Sequence, residues 1–176
     1  MRVIAGTHGG RELIAPKGRA TRPTSDRVRE ALFSILGDIH GLRVLDLFAG
    51  SGALGIEALS RGAGEAILVD SAAVAVGAIR RNLEALGLDA QVVRQPAQRF
   101  LQGASRDARQ YDLVFLDPPY RDASTLGREL TSALTPILAP DARVVAESDR
   151  RSPLALALTL LDDRRYGDTM IQIYAA

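Results

Sequence analysis

The sequence contains no cysteine and only two histidines. Without cysteine the protein has no disulfide framework, no thiolate metal ligand and no thiol nucleophile. Two histidines leave little for a histidine-based zinc site or for a catalytic triad. We therefore expect a protein that holds no metal and whose chemistry, if any, relies on other side chains.

Long apolar runs are also missing. A membrane-spanning helix needs about 20 consecutive apolar residues, whereas the apolar stretch Leu154–Leu161 is short and is interrupted by Thr159. The first ten residues carry Arg2 and three glycines and do not resemble a signal peptide. We expect a soluble, unexported protein of the cytoplasm that does not contact a membrane.

Positive charge is concentrated at one end of the chain. The 176 residues have a net charge of +1, but residues 1–30 contain seven Arg or Lys and three Asp or Glu, so the remainder carries −3. Clustered basic side chains attract the phosphates of a nucleic acid. The alternative is a solvated arm without a partner.

The first 40 residues predict a small extension. Val3–Ala5 and Glu12–Ile14 flank Gly9-Gly10 and predict a short hairpin. A helix follows an Arg-rich loop, with Thr24 or Ser25 as its cap and Gly37 at its end. Because this extension is too small for a core of its own, we predict one domain over residues 1–176, with the extension (1–40) packed on a catalytic core (41–176).

From residue 43 the sequence alternates between apolar strands and helices. Strands are predicted at residues 43–48, 66–70, 91–94, 111–117, 142–147, 160–166 and 169–174. Helices are predicted from the glycine-rich turn to Arg61, from a Ser71 cap to Gly87, around Phe100-Leu101, and over 126–134. The pattern is typical of an α/β fold with a mostly parallel, doubly wound sheet. We expect the C-terminal strand to be antiparallel.

A glycine-rich turn follows the first strand of this core. Gly50, Gly52 and Gly55 form a G-x-G-x-x-G pattern before a helix, where the backbone can approach a nucleotide-like ligand closely. Asp70, at the end of the second strand, can accept hydrogen bonds from ribose hydroxyls. NAD and S-adenosylmethionine both fit these features.

Asp46 distinguishes between the two ligands. It lies in an otherwise apolar strand, where an unpaired carboxylate is costly. S-adenosylmethionine carries an ammonium and a sulfonium, which would compensate the charge, whereas a pyrophosphate would be repelled. A carboxylate that only caps the turn through backbone N–H groups is the alternative.

The tetrad Asp117-Pro118-Pro119-Tyr120 ends the fourth strand, beside the first strand in a doubly wound sheet. An exocyclic amine of a nucleobase is a poor nucleophile, because its lone pair is delocalised into the ring. The Asp117 carboxylate and the Pro118 carbonyl can accept its two N–H groups and aim the lone pair at a methyl donor. Pro119 stiffens the loop, and Tyr120 offers a ring on which an extruded base can stack.

The chain resembles the bacterial small-subunit (16S) ribosomal RNA guanine-N2 methyltransferases. The resemblance rests on the glycine turn, the tetrad and four further runs, Gly10–Leu13, Arg22–Phe33, Glu57–Ala63 and Tyr166–Thr169. It implies a Rossmann-like enzyme that uses S-adenosylmethionine to methylate one guanine of 16S rRNA in a small subunit at or near full assembly.

The resemblance also implies roles for individual residues. The tetrad would hold the guanine; the cofactor would contact Asp46, Phe48, Gly50, Gly52, Asp70 and the backbone near Ala97; and the RNA would contact Arg11, Arg22, Arg27 and Arg29. Where family members usually carry an Asp after the third strand, this chain has Pro96, so adenine recognition falls to Gln95, to backbone groups near Ala97 or to packing. We expect a monomer.

Other functions stay open at this point. Asp-Pro-Pro-Tyr also occurs in DNA adenine-N6 and cytosine-N4 methyltransferases, and protein-glutamine methyltransferases usually carry Asn in place of its Asp. A non-catalytic RNA-binding module and a nicotinamide-dependent enzyme are the alternatives of other classes. Glu57, on the helix after the glycine turn, is expected only to solvate that helix.

Overall fold

The core of the protein is a seven-stranded sheet with the strand order β3-β2-β1-β4-β5-β7-β6. The computed structural model describes residues 1–16, 25–118 and 123–176. The strands are β1 (Arg43–Leu47), β2 (Glu65–Asp70), β3 (Gln91–Arg94), β4 (Tyr111–Leu116), β5 (Leu138–Asp149), β6 (Thr159–Tyr166) and β7 (Thr169–Ala175). Strands β1 to β5 are parallel, and β7 is antiparallel to both β5 and β6. The predicted α/β class, mostly parallel with an antiparallel C-terminal strand, is confirmed.

Helices cover both faces of the sheet. They are α1 (Asp26–Leu36), α2 (Ala53–Ser60), α3 (Ala73–Leu86), α4 (Ala97–Arg106) and α5 (Ala123–Leu134). Successive strand residues point to opposite faces, so Val44 joins the cluster under α1, α2 and α3, whereas Leu45 joins the cluster under α4 and α5. This arrangement is the predicted doubly wound one.

The order of the strands reverses between β1 and β4. The chain adds β2 and β3 on one side of β1, and then adds β4 and β5 on the other. Leu47 lies opposite both Val69 and Leu116. The next residue of each strand, Phe48, Asp70 or Asp117, therefore lies at the same carboxyl edge, where α/β sheets bind their ligands.

The N-terminal residues pack on the core and form a shorter hairpin than predicted: the Val3 N–H donates to the Arg11 carbonyl at 2.9 Å and the Leu13 N–H to the Met1 carbonyl at 3.0 Å. A single antiparallel bridge joins Arg2 to Glu12, and Gly6–His8 form a 3-10 turn. The backbone N–H groups of residues 4, 5 and 8 donate to α2 side chains and not across a hairpin ladder. Val3 and Leu13 are buried in the cluster under α1, α2 and α3.

Most helix ends lie where the capping residues in the sequence predict them. The Ser25 hydroxyl accepts from the Val28 N–H at 3.3 Å, Gly37 follows α1, and Gly87 ends α3 in the left-handed conformation. The Ser71 cap is wrong, because the Asp70 carboxylate accepts from the Ala72 N–H at 2.8 Å and Ala72 is the capping residue.

Three boundaries extend beyond the sequence prediction, one of them that of α5, which begins at Ala123 and not at 126. Helix α4 reaches Arg106 in place of the short helix expected around Phe100-Leu101, and β5 begins at Leu138, before the predicted 142. Within the described ranges, none of the helices is both long and apolar enough to cross a bilayer.

Candidate active site

The glycine turn after β1 is held open by left-handed backbone conformations. Gly50 has a φ of 58° and Gly52 a φ of 79°, which side-chain-bearing residues adopt only at a cost. A Cβ atom on Gly52 would also lie 2.9 Å from the Leu68 side chain. The Gly50 N–H donates to Asp70 Oδ2 at 3.0 Å. We refer to Gly50, Ser51 and Gly52 as the cofactor loop.

Phe48 enters this loop in an unusual conformation for a residue with a side chain. Its φ is 86°, and its N–H and that of Ala49 both donate to the Val69 carbonyl, at 3.0 and 2.9 Å. Such a conformation costs on the order of 1 kcal/mol or more and persists only where the surroundings impose it. The paired bonds to β2 are what hold Phe48 in place.

Asp46 lies beneath the cofactor loop and is 3% exposed. Among the described residues its one hydrogen-bond partner is the Gly55 N–H, 2.9 Å from Oδ2. Burial raises the pKa of Asp46 to about 7, although the Gly55 bond acts in the opposite direction. A cation above this carboxylate would restore its ionised form. The capping alternative is therefore present in the structure, but one N–H does not compensate the buried charge.

Asp70 fixes the cofactor loop from the neighbouring strand. It is 4% exposed, and its two carboxylate oxygens accept from the Gly50 and Ala72 N–H groups. The carboxylate therefore shapes the loop and caps the start of α3. Its predicted bond to ribose hydroxyls stays a prediction.

The first half of the tetrad reaches the same edge. Asp117 is half-buried and Pro118 is buried, directly after β4. By register, Asp117 is level with Phe48 on the neighbouring strand. Pro119 and Tyr120 lie outside the described residues. The structure thus brings together the ends of β1, β2 and β4, as the sequence predicts.

The start of α4 completes the edge. The Gln95 N–H donates to the Asp70 carbonyl at 3.1 Å, Pro96 is the N-cap, and Ala97 is the first helical residue. The N–H groups of a first helical turn lack partners within the helix. A backbone donor near Ala97 is therefore available on the side where the usual acid is replaced by Pro96.

The predicted RNA-contacting arginines divide into three cases. Arg11 and Arg27 are exposed, and one Arg11 Nη donates to the Ala85 carbonyl at 3.0 Å. Arg22 lies outside the described residues. Arg29 is fully buried and donates to Asp26 at 2.7 Å and to the Arg2 carbonyl.

The burial of Arg29 corrects the prediction for that residue. Arg29 precedes Leu32 and Phe33 by three and four positions, so it shares the inward face of α1 with them. Its guanidinium ties α1 to the N-terminal residues and is not presented to a phosphate.

Comparisons with known proteins identify the family of this chain. A family model described as "Conserved hypothetical protein 95" matches residues 1–175. Ribosomal RNA small subunit methyltransferase D of Haemophilus influenzae is 34% identical over 182 residues, covering 99% of this chain and 93% of the relative. The chain belongs to the ribosomal RNA small subunit methyltransferase D family. The Bacillus subtilis protein YlbH is 42% identical over 185 residues, covering 99% of this chain and 98% of YlbH.

Solved structures show the same fold. A hypothetical protein of Thermus thermophilus matches with a TM-score of 0.88 and 32% identity, covering 100% of this chain and 99% of that protein. The Thermus thermophilus 16S rRNA N2 G1207 methyltransferase, solved with AdoMet and guanosine, matches with a TM-score of 0.70 and 20% identity, covering 92% of this chain and 45% of that one. The family member described here therefore has the Rossmann-like methyltransferase fold.

Two buried polar residues of this family member were missed by the sequence analysis. Glu57 is fully buried and accepts from the Ile4 and Ala5 N–H groups and from Arg61 Nε, so it does not merely solvate α2. Asn82 is 1% exposed and bonds the N-terminal residues to the cofactor loop. Glu57 stands alone in an apolar helix with Arg61 four residues later, and Asn82 lies on the inward stripe of α3. Both signals are present in the sequence.

Two further features lie apart from the predicted site. No group of three or more His, Cys, Asp or Glu side chains in the described ranges could hold a metal ion. A groove of about 800 Å³ runs between α4 and α5, with Arg99, Arg106 and Pro136 in its lining, and Gln95 links it to the site edge.

Proposed function

We propose that the protein transfers a methyl group from S-adenosylmethionine to the exocyclic N2 amine of a guanine in 16S rRNA, within the assembled small subunit. One observation carries the proposal: Asp46 and Asp117 lie at the carboxyl ends of the adjacent parallel strands β1 and β4. Family membership supports methylation of ribosomal RNA, as the relative's name states.

The residues present fit S-adenosylmethionine. The buried Asp46 carboxylate has one N–H donor among the described residues and a raised pKa, so it favours a ligand that brings a positive charge. A Cβ atom on Gly50 would meet only the Phe48 carbonyl, 4.0 Å away, so the cofactor loop has room for a ligand beside Gly50. Asp70 is placed for the ribose, and Phe48 and Ala97 border the same edge. When bound, S-adenosylmethionine would supply a methyl group activated by its sulfonium: the amine nitrogen would bond to the methyl carbon as the carbon–sulfur bond breaks, S-adenosylhomocysteine would leave, and one amine proton would be released.

The residues after β4 act on the amine. We propose that the Asp117 carboxylate and the Pro118 carbonyl accept hydrogen bonds from the two N–H groups of the amine. The nitrogen lone pair would then point towards the cofactor side of the edge. Tyr120 would stack on the extruded base, and Pro119 would keep the Pro118 carbonyl fixed. Arg11, Arg22 and Arg27 would contact RNA phosphates. An rRNA substrate places the enzyme in the cytoplasm, and we propose that it acts as a monomer.

Methyl transfer to defined acceptors tests the proposal. The protein is incubated with radiolabelled S-adenosylmethionine and with under-methylated small subunits, free 16S rRNA or duplex DNA. We expect incorporation into the subunits and N2-methylguanine on nuclease digestion and mass spectrometry. Incorporation into duplex DNA but not into the subunits would replace the RNA substrate by a DNA amine.

A substitution at each end of β4 separates chemistry from folding. Asp117→Ala is expected to lower kcat by about 100-fold or more, because the amine loses its charged acceptor. Asp112→Ala is the matched control: it removes the bidentate pair with Arg43 at the opposite end of the strand, at 2.9 and 2.8 Å. We expect it to retain kcat. Equal kcat values for the two variants would show that Asp117 has no catalytic role.

A further inference from the structure

Asn82 is buried, and both polar atoms of its side-chain amide form hydrogen bonds. Its Oδ1 accepts from the Ile14 N–H at 2.8 Å, and its Nδ2 donates to the Ile14 carbonyl at 3.0 Å and to the Ser51 carbonyl at 2.9 Å. A single side chain on α3 therefore joins the N-terminal residues to the middle of the cofactor loop.

The cofactor loop depends on such external bonds. Gly50 and Gly52 have wide conformational freedom, and the loop follows the last residue paired in the sheet. The Gly50 N–H is held by Asp70, and the Ser51 carbonyl is held by Asn82. Without the second bond, the loop would lose the tie on its α3 side.

The N-terminal residues support the loop from the same side. The Ser51 hydroxyl lies 3.6 Å from Met1 Sδ, and the Leu13 N–H donates to the Met1 carbonyl at 3.0 Å. Met1 and Ile14 thus approach Ser51 together, the first directly and the second through Asn82. We call residues 1–14 the N-terminal brace.

We propose that Asn82 is a positioning residue, which binds the N-terminal brace to the cofactor loop and so keeps the loop in the shape that accepts the cofactor. The inference rests on the proposed function, because it takes S-adenosylmethionine as the ligand of this loop. It gives the N-terminal brace a role in cofactor binding that is separate from any contact with RNA.

Cofactor affinity of two Asn82 variants tests the inference. Asn82→Asp keeps an acceptor for the Ile14 N–H but turns an oxygen towards two carbonyls, and Asn82→Ala removes all three bonds. Binding of S-adenosylhomocysteine is measured by titration calorimetry, below the unfolding temperature of each variant. Each is expected to raise the Kd about tenfold or more, while the KM for the RNA substrate at saturating cofactor stays within about twofold.

A matched control separates positioning from general loss of stability. Thr131 is also a buried bridging residue, but it lies under the other face of the sheet, where Oγ1 donates to the Gly127 carbonyl at 2.8 Å and accepts from the Ala157 N–H at 2.9 Å. Thr131→Val should lower the unfolding temperature and leave the Kd within about twofold, because its bonds do not reach the loop.

A change in the N-terminal brace keeps the test decisive if the Asn82 variants fail to fold. Ile14→Pro removes the N–H that donates to Asn82, whereas Ile14→Ala removes only a side chain that is 50% exposed. We expect Ile14→Pro to bind about threefold more weakly than Ile14→Ala.

The outcomes distinguish the positioning role of Asn82 from the proposed function. Absence of S-adenosylhomocysteine binding by the unaltered protein would overturn the proposed function itself. Binding by the unaltered protein with the same Kd in the folded Asn82 variants, in Ile14→Pro and in Thr131→Val would overturn the positioning role of Asn82 and leave the proposed function standing.

Discussion

Helix α2 brings together two buried carboxylates, Asp46 bonded near its start and Glu57 in its own second half, and the protein satisfies the two in different ways. Glu57 is 0% exposed and accepts from the Ile4 N–H at 2.7 Å, the Ala5 N–H at 3.1 Å and Arg61 Nε at 2.7 Å. Asp46 is 3% exposed, and within the described ranges it accepts from the Gly55 N–H alone.

The difference separates a structural acid from a binding acid. Glu57 has two backbone donors and a cation, so the protein itself replaces the water that burial removed. Asp46 has one donor and no ion pair with a described residue, and burial raises its pKa to about 7. A buried acid left in this state stabilises a positively charged ligand better than it stabilises the fold. Substitutions at the two acids and beside them test this contrast.

Gly6→Ala should disrupt the packing of residues 4–8 on the C-terminal end of α2 more severely than any other substitution considered. Gly6 has a φ of 81°, and a Cβ atom there would collide with the Ser60 carbonyl at the end of α2. We expect a loss of about 4 kcal/mol or more in the free energy of unfolding, measured in urea, because neither backbone can yield cheaply.

A helical glycine supplies the control for Gly6→Ala. At Gly77 in α3, an added Cβ atom would meet nothing within 4 Å, and Gly77→Ala should stabilise the protein by about 0.5 to 1 kcal/mol. Equal effects of the two substitutions would mean that residues 4–8 are not docked on α2.

Glu57→Gln tests the structural acid directly. The amide keeps one acceptor, but it turns an NH₂ group towards donors and leaves Arg61 without its counter-charge. We expect the free energy of unfolding to fall by about 3 kcal/mol. Glu84→Gln, at an exposed site on α3, should change it by less than about 0.5 kcal/mol.

The binding acid should make stability depend on pH. Burial raises the pKa of Asp46 in the folded protein from its ordinary value of 3.8 to about 7. The folded state therefore holds this proton more tightly than the unfolded chain does. This contribution to stability is complete below pH 4 and is lost as the pH rises towards 7, with a slope of at most about 1.4 kcal/mol per pH unit. Urea unfolding at several pH values, compared between the unaltered protein and Asp46→Asn, isolates this contribution.

Asp46→Asn should stabilise the protein, whereas Glu57→Gln should destabilise it. The amide oxygen can still accept from the Gly55 N–H without a buried charge, so we expect a gain of about 1 kcal/mol in the free energy of unfolding at pH 8. The affinity for S-adenosylhomocysteine, which retains the ammonium, should fall about tenfold or more. A variant that loses both stability and affinity would show that Asp46 is structural, like Glu57.

The sequence predicted the features that depend on neighbours along the chain. The cofactor loop follows from glycines after an apolar strand, the burial of Asp46 follows from the apolar residues around it, and the Ser25 cap follows from local hydrogen bonding. Register then brought Asp117 to the predicted edge, because strands β1 and β4 are neighbours in a doubly wound sheet.

The features that sequence reasoning missed depend on contacts between distant segments. The N–H partners of Glu57 are 52 and 53 residues away, and Asn82 reaches Ile14 across 68 residues. Periodicity can place both side chains on an inward face, but it cannot identify a backbone partner. The resemblance implied an RNA contact for Arg29, whereas the packing of α1 buries its side chain.

The placement of β7 between β5 and β6 determines when this edge of the sheet can assemble during synthesis. Strand β6 is translated before β7. Its partner in the sheet is β7, however, and β7 in turn pairs with β5. The edge of the sheet therefore cannot assemble until Thr169–Ala175 have left the ribosome. Loss of β7 alone would leave β6 without its partner strand and would leave the outer edge of β5 unpaired.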